Sequence, residues 1–92
     1  KLSNLRVNHT SIIIATPNII SDFIRDLVET NVLPVNILYE WSVEGLISET
    51  GLVIDANITK LKIKLLQYLI DIIQDDPTKS TSIANSINKI FV

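Results

Sequence analysis

The segment TPNIISDFIRDLVE, residues 16–29, indicates the fold most clearly. From Ile19 onward its apolar residues recur every three or four positions with polar residues between them, which is the pattern of an amphipathic helix. Thr16 offers an N-cap side chain directly before Pro17, and proline suits a first helical turn because the N–H it lacks would be unpaired there. The segment therefore predicts a helix from Pro17 that ends at Thr30 and Asn31.

The residues after Pro34 predict a helix that is apolar around most of its circumference. It runs from Pro34 to about Ile47, and its polar residues occupy only a narrow side. Gly45 lies inside this stretch and is interpreted as a site of close helix approach or as an early fraying point. Residues 48–51 then form a loop in which Gly51 is the expected turn residue.

Two more helices follow in the second half of the chain. Asp55 is the expected N-cap of a long helix from Ala56 to about Gln74, whose apolar arc covers roughly 220° at 100° per residue. Asp76 and Pro77 then open a last helix, because an aspartate is favourable at a helix N-terminus and unfavourable at a C-terminus.

The start of the chain has two readings. Residues from Leu2 to about Ala15 keep a helical spacing, but Thr10 to Ile14 also read as an extended segment. The sequence thus predicts an all-α domain of four or five short antiparallel helices, either a compact bundle or a set of helical hairpins of the HEAT or armadillo kind. The second alternative is a geometric analogy, since no motif repeats at a fixed period.

Composition limits the classes of function. The 92 residues suffice for one domain, and we expect them to be a fragment of a longer protein because the chain begins at Lys1 without methionine. A net charge of −2 makes nucleic acid an improbable partner, and no apolar run approaches the ~20 residues that cross a membrane. With no cysteine, we expect an intracellular protein, cytoplasmic or nuclear.

Residues that could support catalysis are few. His9 is the single histidine, and neither a cysteine nor a serine motif accompanies it. Asp71, Asp75 and Asp76 lack the spacing of oxygen ligands around a glycine that an EF-hand needs. We therefore expect no enzymatic activity, no catalytic residue, no cofactor, no metal and no small-molecule substrate.

Each charged cluster has a structural reading and a functional one. Asp22, Asp26 and Glu29 form an acidic ridge on one helix, which is read as a solvated face, with a docking surface for a basic partner as the alternative. The basic cluster is read as solubilising charge, and its functional alternative is a small accessory nucleic-acid-binding domain. Its residues are Lys60, Lys62, Lys64, Lys79 and Lys89.

The wide apolar arcs of the helices after Pro34 and Asp55 favour a protein-interaction or oligomerisation module. A helix in a compact bundle needs a narrower apolar stripe, so part of this surface is available for a partner helix or for a second copy of the chain. Trp and Tyr are typical interface anchors, although aromatic residues at helical spacing more often belong to the core. The predicted contact residues are Tyr39, Trp41, Leu46, Ile63, Tyr68 and Ile70.

Overall fold

The computed structural model describes residues 11–91, which form five helices connected by turns and one hairpin loop. The predicted all-α class is confirmed: the described residues contain no β-strand, and their β-type pairing is one isolated antiparallel bridge between Ile47 and Val53. Residues 11–14 are helical, which contradicts the extended reading there; residues 1–10, including His9, lie outside the described part. The helices are α1 (residues 11–14), α2 (Pro17–Glu29), α3 (Val35–Val43), α4 (Ile58–Asp75) and α5 (Lys79–Phe91).

Helix α2 begins and ends where the sequence predicts. The side chain of Thr16 accepts a hydrogen bond from the backbone N–H of Ile19 at 3.4 Å and so caps the helix. At the other end Asn31 adopts a left-handed conformation with φ of 64°, and the N–H of Val32 donates to the carbonyl of Leu27 at 2.9 Å. This is a Schellman motif, and it turns Val32 into the core.

Helix α3 is shorter than the sequence predicts. It ends at Val43, four residues before the predicted end at Ile47. Gly45 has a φ of 79° and follows the C-cap, so the left-handed turn at this glycine stops the helix. The N–H of Leu46 then donates to the carbonyl of Trp41 at 2.9 Å, which completes a second Schellman motif. The helix thus ends early at Gly45, as the second of its two predicted roles implies, although it ends in an ordered turn and does not fray.

The boundaries of α4 and α5 agree with the sequence in part. Asp55 opens a short 3₁₀ turn instead of capping the long helix, and α4 itself begins at Ile58. At the far end, Asp76 lies between the two helices as predicted, and its carboxylate accepts a hydrogen bond from the backbone N–H of Thr78 at 3.2 Å, but α5 itself begins at Lys79, two residues after Pro77. The negative side chain therefore lies at the start of α5, where the helix dipole favours it.

The core is formed mainly by the packing of α2 against α5, and α4 also packs against α5. Phe23 on α2 meets Phe91 on α5 edge to face, with their ring centroids 5.1 Å apart. The Cα radius of gyration is 12.1 Å, close to the ~12 Å expected for a single domain of this length. The fully buried large side chains are Ile12, Ile20, Phe23, Ile24, Leu27, Leu33, Leu46, Leu61, Leu65, Leu69, Ile83 and Ile87.

A buried carboxylate connects α2 to α5. Asp26 is 6% exposed, and it accepts hydrogen bonds from Ser86 Oγ at 2.5 Å and Lys89 Nζ at 2.9 Å. The bond from Ser86, followed by that from Lys89, holds the pKa of Asp26 below its ordinary value. The acidic ridge predicted on this helix is therefore wrong in one member: Asp22 and Glu29 are exposed, but Asp26 belongs to the interior.

We expect Asp26→Asn to lower the free energy of unfolding by about 1–3 kcal/mol at neutral pH, because a charge-assisted bond in the interior is lost. Because the pKa of Asp26 is lower in the folded state than in the unfolded state, its carboxylate stabilises the fold at pH values above the unfolded-state pKa of about 4. This stabilisation is lost as the pH falls through the folded-state pKa. The difference between wild type and variant, measured by urea denaturation, should therefore shrink at acidic pH. Asp22→Asn, on the same helix, is the matched control and should change stability by less than about 0.5 kcal/mol.

Candidate functional site

An exposed apolar stripe runs along α3. Val35, Tyr39 and Val43 are 69%, 72% and 70% exposed, although each is a large apolar or aromatic residue. They follow one another at intervals of four residues, so they lie on the same face of the helix. The opposite face carries Trp41, which is buried. Helix α3 therefore lies on the core by one side and presents a continuous apolar ridge on the other.

A hairpin loop forms a wall beside this stripe. Residues 46–54 double back on themselves through the bridge between Ile47 and Val53, and the N–H of Ser48 donates to the carbonyl of Leu52 at 2.7 Å. Between α3 and the hairpin lies an open groove with a volume of about 710 Å³. Its lining residues are Val35, Leu38, Tyr39, Ser42, Val43, Ile47, Ser48, Glu49, Thr50 and Gly51.

Two side-chain hydrogen bonds hold the hairpin against the helices. The hydroxyl of Ser21 on α2 accepts from the backbone N–H of Val53 at 3.1 Å and donates to the carbonyl of Pro17 at 2.9 Å. The amide nitrogen of Asn57 donates to the carbonyl of Gly45 at 2.7 Å. Sequence reasoning missed both contacts. The available signal was Ser21 itself, a polar residue that at 100° per residue lies on the same side of the helix as Ile24 and Val28.

Three of the six predicted contact residues belong to the interior. Trp41 and Leu46 are buried, at 4% and 0% exposure. Tyr68 is half-buried and packs edge to face on Trp41, with ring centroids 6.3 Å apart, and burial raises the pKa of its hydroxyl. The packing of these residues joins α3 and its C-terminal turn to α4.

The other three predicted contact residues do not share one surface. Tyr39 lines the groove. Ile63 and Ile70 are 49% and 39% exposed on α4, but at 100° per residue they lie about 150° around that helix from Tyr68, the residue that faces α3. The structure therefore does not assemble the six residues into a single face. Sequence reasoning also missed Val35 and Val43, whose signal is their spacing of four residues on each side of Tyr39.

The basic cluster is divided among separate roles in the fold. Lys62 is buried, and its Nζ donates to the carbonyl of Ile13 at 2.7 Å, where α1 ends. Lys64 forms an ion pair with Glu44 at 3.0 Å, and Lys89 bonds the buried aspartate of α2. Three of the five lysines thus bond other parts of the chain. Lys62 and Lys64 both lie on α4, but they bond different segments.

The buried polar side chains of the described residues bond within the fold. They are Ser21, Asp26, Lys62 and Ser86. Within residues 11–91, no three His, Asp or Glu side chains are grouped so that they could hold a metal ion. No helix in this part of the chain is both long enough and apolar enough to span a bilayer.

Comparisons with known proteins give no match. No protein-family model matches this chain, and neither a curated protein nor a solved structure does. The fold and the groove therefore define its class without the support of a relative: an all-α domain with an open apolar groove beside a short helix.

The left-handed turn at Gly45 leads to a test of how the groove wall is built. We expect Gly45→Ala to lower the free energy of unfolding by about 1 kcal/mol, because a Cβ is unfavourable at positive φ. No clash contributes, since the nearest atom would be 3.7 Å from the added carbon. Gly45→Asn is the control and should cost less, because asparagine tolerates this conformation. Equal losses in thermal or urea unfolding would contradict this explanation of how α3 ends.

The placement of Leu46 and Val43 leads to a second test. Leu46→Ala should lower the free energy of unfolding by about 2–5 kcal/mol, because it empties a site in the core. Val43→Ala should change it by less than about 0.5 kcal/mol, because the valine is mostly solvated. Urea denaturation measures both values. Similar losses for the two variants would mean that the groove is not open in the isolated chain.

Proposed function

We propose that this domain is a non-enzymatic protein-interaction module whose groove beside α3 receives an apolar helical segment. The observation that carries this proposal is the exposed ridge of Val35, Tyr39 and Val43. Leaving a large apolar side chain in water forgoes about 1.5–3 kcal/mol of burial, and three such residues adjoin one groove. Contiguous exposed apolar surface of this kind is typical of interaction sites.

The shape of the groove supports a helical occupant. Residues at intervals of four form a ridge on a helix surface, and a second helix packs by placing such a ridge into a groove. The hairpin supplies the opposite wall, and it is anchored by the bonds to Ser21 and from Asn57, so the groove is held open without its occupant. This is the helix-in-groove mode of recognition. The absence of cysteine suits a reducing compartment, so the proposed setting is intracellular.

A comparison of two aspartate variants tests the proposal. Val43→Asp places a charge in the groove, whereas Ile63→Asp places one on an exposed isoleucine of α4 outside it. Each protein is used for affinity capture from cells of the source organism, and the captured proteins are quantified by mass spectrometry. Wild type and Ile63→Asp should capture the same set of proteins, and Val43→Asp should not capture it. Circular dichroism melts of all three chains establish that each is folded before binding is compared.

The molar mass of the same three proteins completes the test. Light scattering during size-exclusion chromatography shows whether the wild type exceeds its monomer mass of 10.3 kDa. An oligomer that only Val43→Asp dissociates would make a second copy the occupant of the groove. The proposal would be wrong if Val43→Asp changed neither the captured set nor the molar mass. It would also be wrong if Ile63→Asp changed either of them and Val43→Asp did not.

A further inference from the structure

The stretch of chain that forms the groove carries charges of one sign, although Lys64 of α4 pairs with one of them, Glu44. From residue 27 to residue 59 the chain has five acidic residues and no Lys, Arg or His, so this stretch has a formal charge of −5, against −2 for the whole chain. This stretch includes α3 and the whole hairpin. All five carboxylates are exposed to solvent: Glu29, Glu40, Glu44, Glu49 and Asp55.

Two of these carboxylates flank the apolar stripe. Glu49 lies on the hairpin wall of the groove. Glu40 follows Tyr39 on α3, about 100° around the helix, on the side away from that wall. The stripe from Val35 to Val43 is therefore bordered by negative charge on both sides, and its length of about 12 Å corresponds to about eight residues of an occupant helix.

A second copy of the chain fits these charges poorly. A two-fold symmetric dimer through the groove would place the same patch on both sides of the interface, so Glu40 and Glu49 of both copies would enter it and the groove lining would supply no cation to pair with them. In a head-to-tail arrangement, another face would have to supply cations. Of the six Lys and Arg side chains within the described residues, Arg25, Lys62, Lys64 and Lys89 bond groups of their own chain, which leaves Lys60 and Lys79 for such a contact.

We propose that the occupant is an amphipathic helix of a different protein that carries Lys or Arg on both sides of its apolar stripe. This inference rests on the proposed function, and it adds the chemistry of the partner. The apolar ridge supplies affinity, whereas the flanking carboxylates select a basic helix and accelerate its encounter with the groove. They also disfavour acidic amphipathic helices of equal apolar content, because like charges would then be brought together.

A display library of amphipathic helical peptides tests this inference. Peptides of about 14 residues, enough for about four turns, carry a constant apolar stripe and randomised flanking positions. They are selected on the intact 92-residue chain, and binders that also bind Val43→Asp are removed. The selected peptides should be enriched in Lys and Arg at the flanking positions, and their affinity, measured by fluorescence anisotropy, should weaken with added salt.

Two double variants show whether the charges act locally. Glu40→Gln with Glu49→Gln should weaken a selected basic peptide roughly two- to tenfold, as expected for two exposed ion pairs. Glu29→Gln with Asp55→Asn removes the same charge away from the groove lining and should weaken it less.

The outcomes separate this inference from the proposed function. Selection of neutral or acidic peptides whose binding is lost in Val43→Asp would overturn the inference, and so would equal effects of the two double variants. In either case the groove would still be a binding site. An oligomer dissociated by Val43→Asp would also overturn it, because the second copy would then be the occupant. If no peptide were enriched above the Val43→Asp background, both the inference and the helix-in-groove function would be wrong.

Discussion

The site depends on the left-handed turn at Gly45. With this residue at positive φ, α3 ends at Val43. The N–H of Leu46 then bonds the carbonyl of Trp41, and the side chain of Leu46 enters the core. If the helix continued, Leu46 would lie on an extended helical surface and no hairpin could return beside α3. Because the chain reverses here, the hairpin walls a groove along the exposed stripe. A constraint on one backbone angle thus produces both a core contact and the candidate interface.

Helix α2 fixes the elements around this turn through polar contacts. Ser21 accepts the N–H of Val53 and so holds the hairpin, while Asp26 accepts from Ser86 and Lys89 and so holds α5. A buried polar group is costly unless it is bonded, so each of these contacts favours one relative position of two segments over its alternatives. Apolar packing alone is less selective. One wall of the groove is therefore fixed by bonds to the interior of the domain, as the binding function proposed for it would require.

Sequence reasoning was most successful where a structure depends on near neighbours. The cap at Thr16 and the helix that starts at Pro17 needed only local signals. The predicted contact residues needed more, because an apolar residue on a helix with a wide apolar arc faces either the core or solvent, and periodicity does not distinguish them. Leu46 and Trp41 proved to be interior, whereas Val35 and Val43, which were not predicted, line the groove beside Tyr39. The interior position of Asp26 was hidden for a similar reason, since its partners Ser86 and Lys89 are 60 and 63 residues away along the chain.

The sequence by itself determined the all-α class, both ends of α2 and the start of α3 next to Pro34, because proline geometry, capping and amphipathic spacing act over a few residues. Only the tertiary structure decided that Lys62 caps α1 from the interior, and that one face of α3 remains in water. These outcomes depend on which segments meet across long stretches of chain. Burial and the satisfaction of polar groups are properties of that assembly, and no short window of sequence contains them.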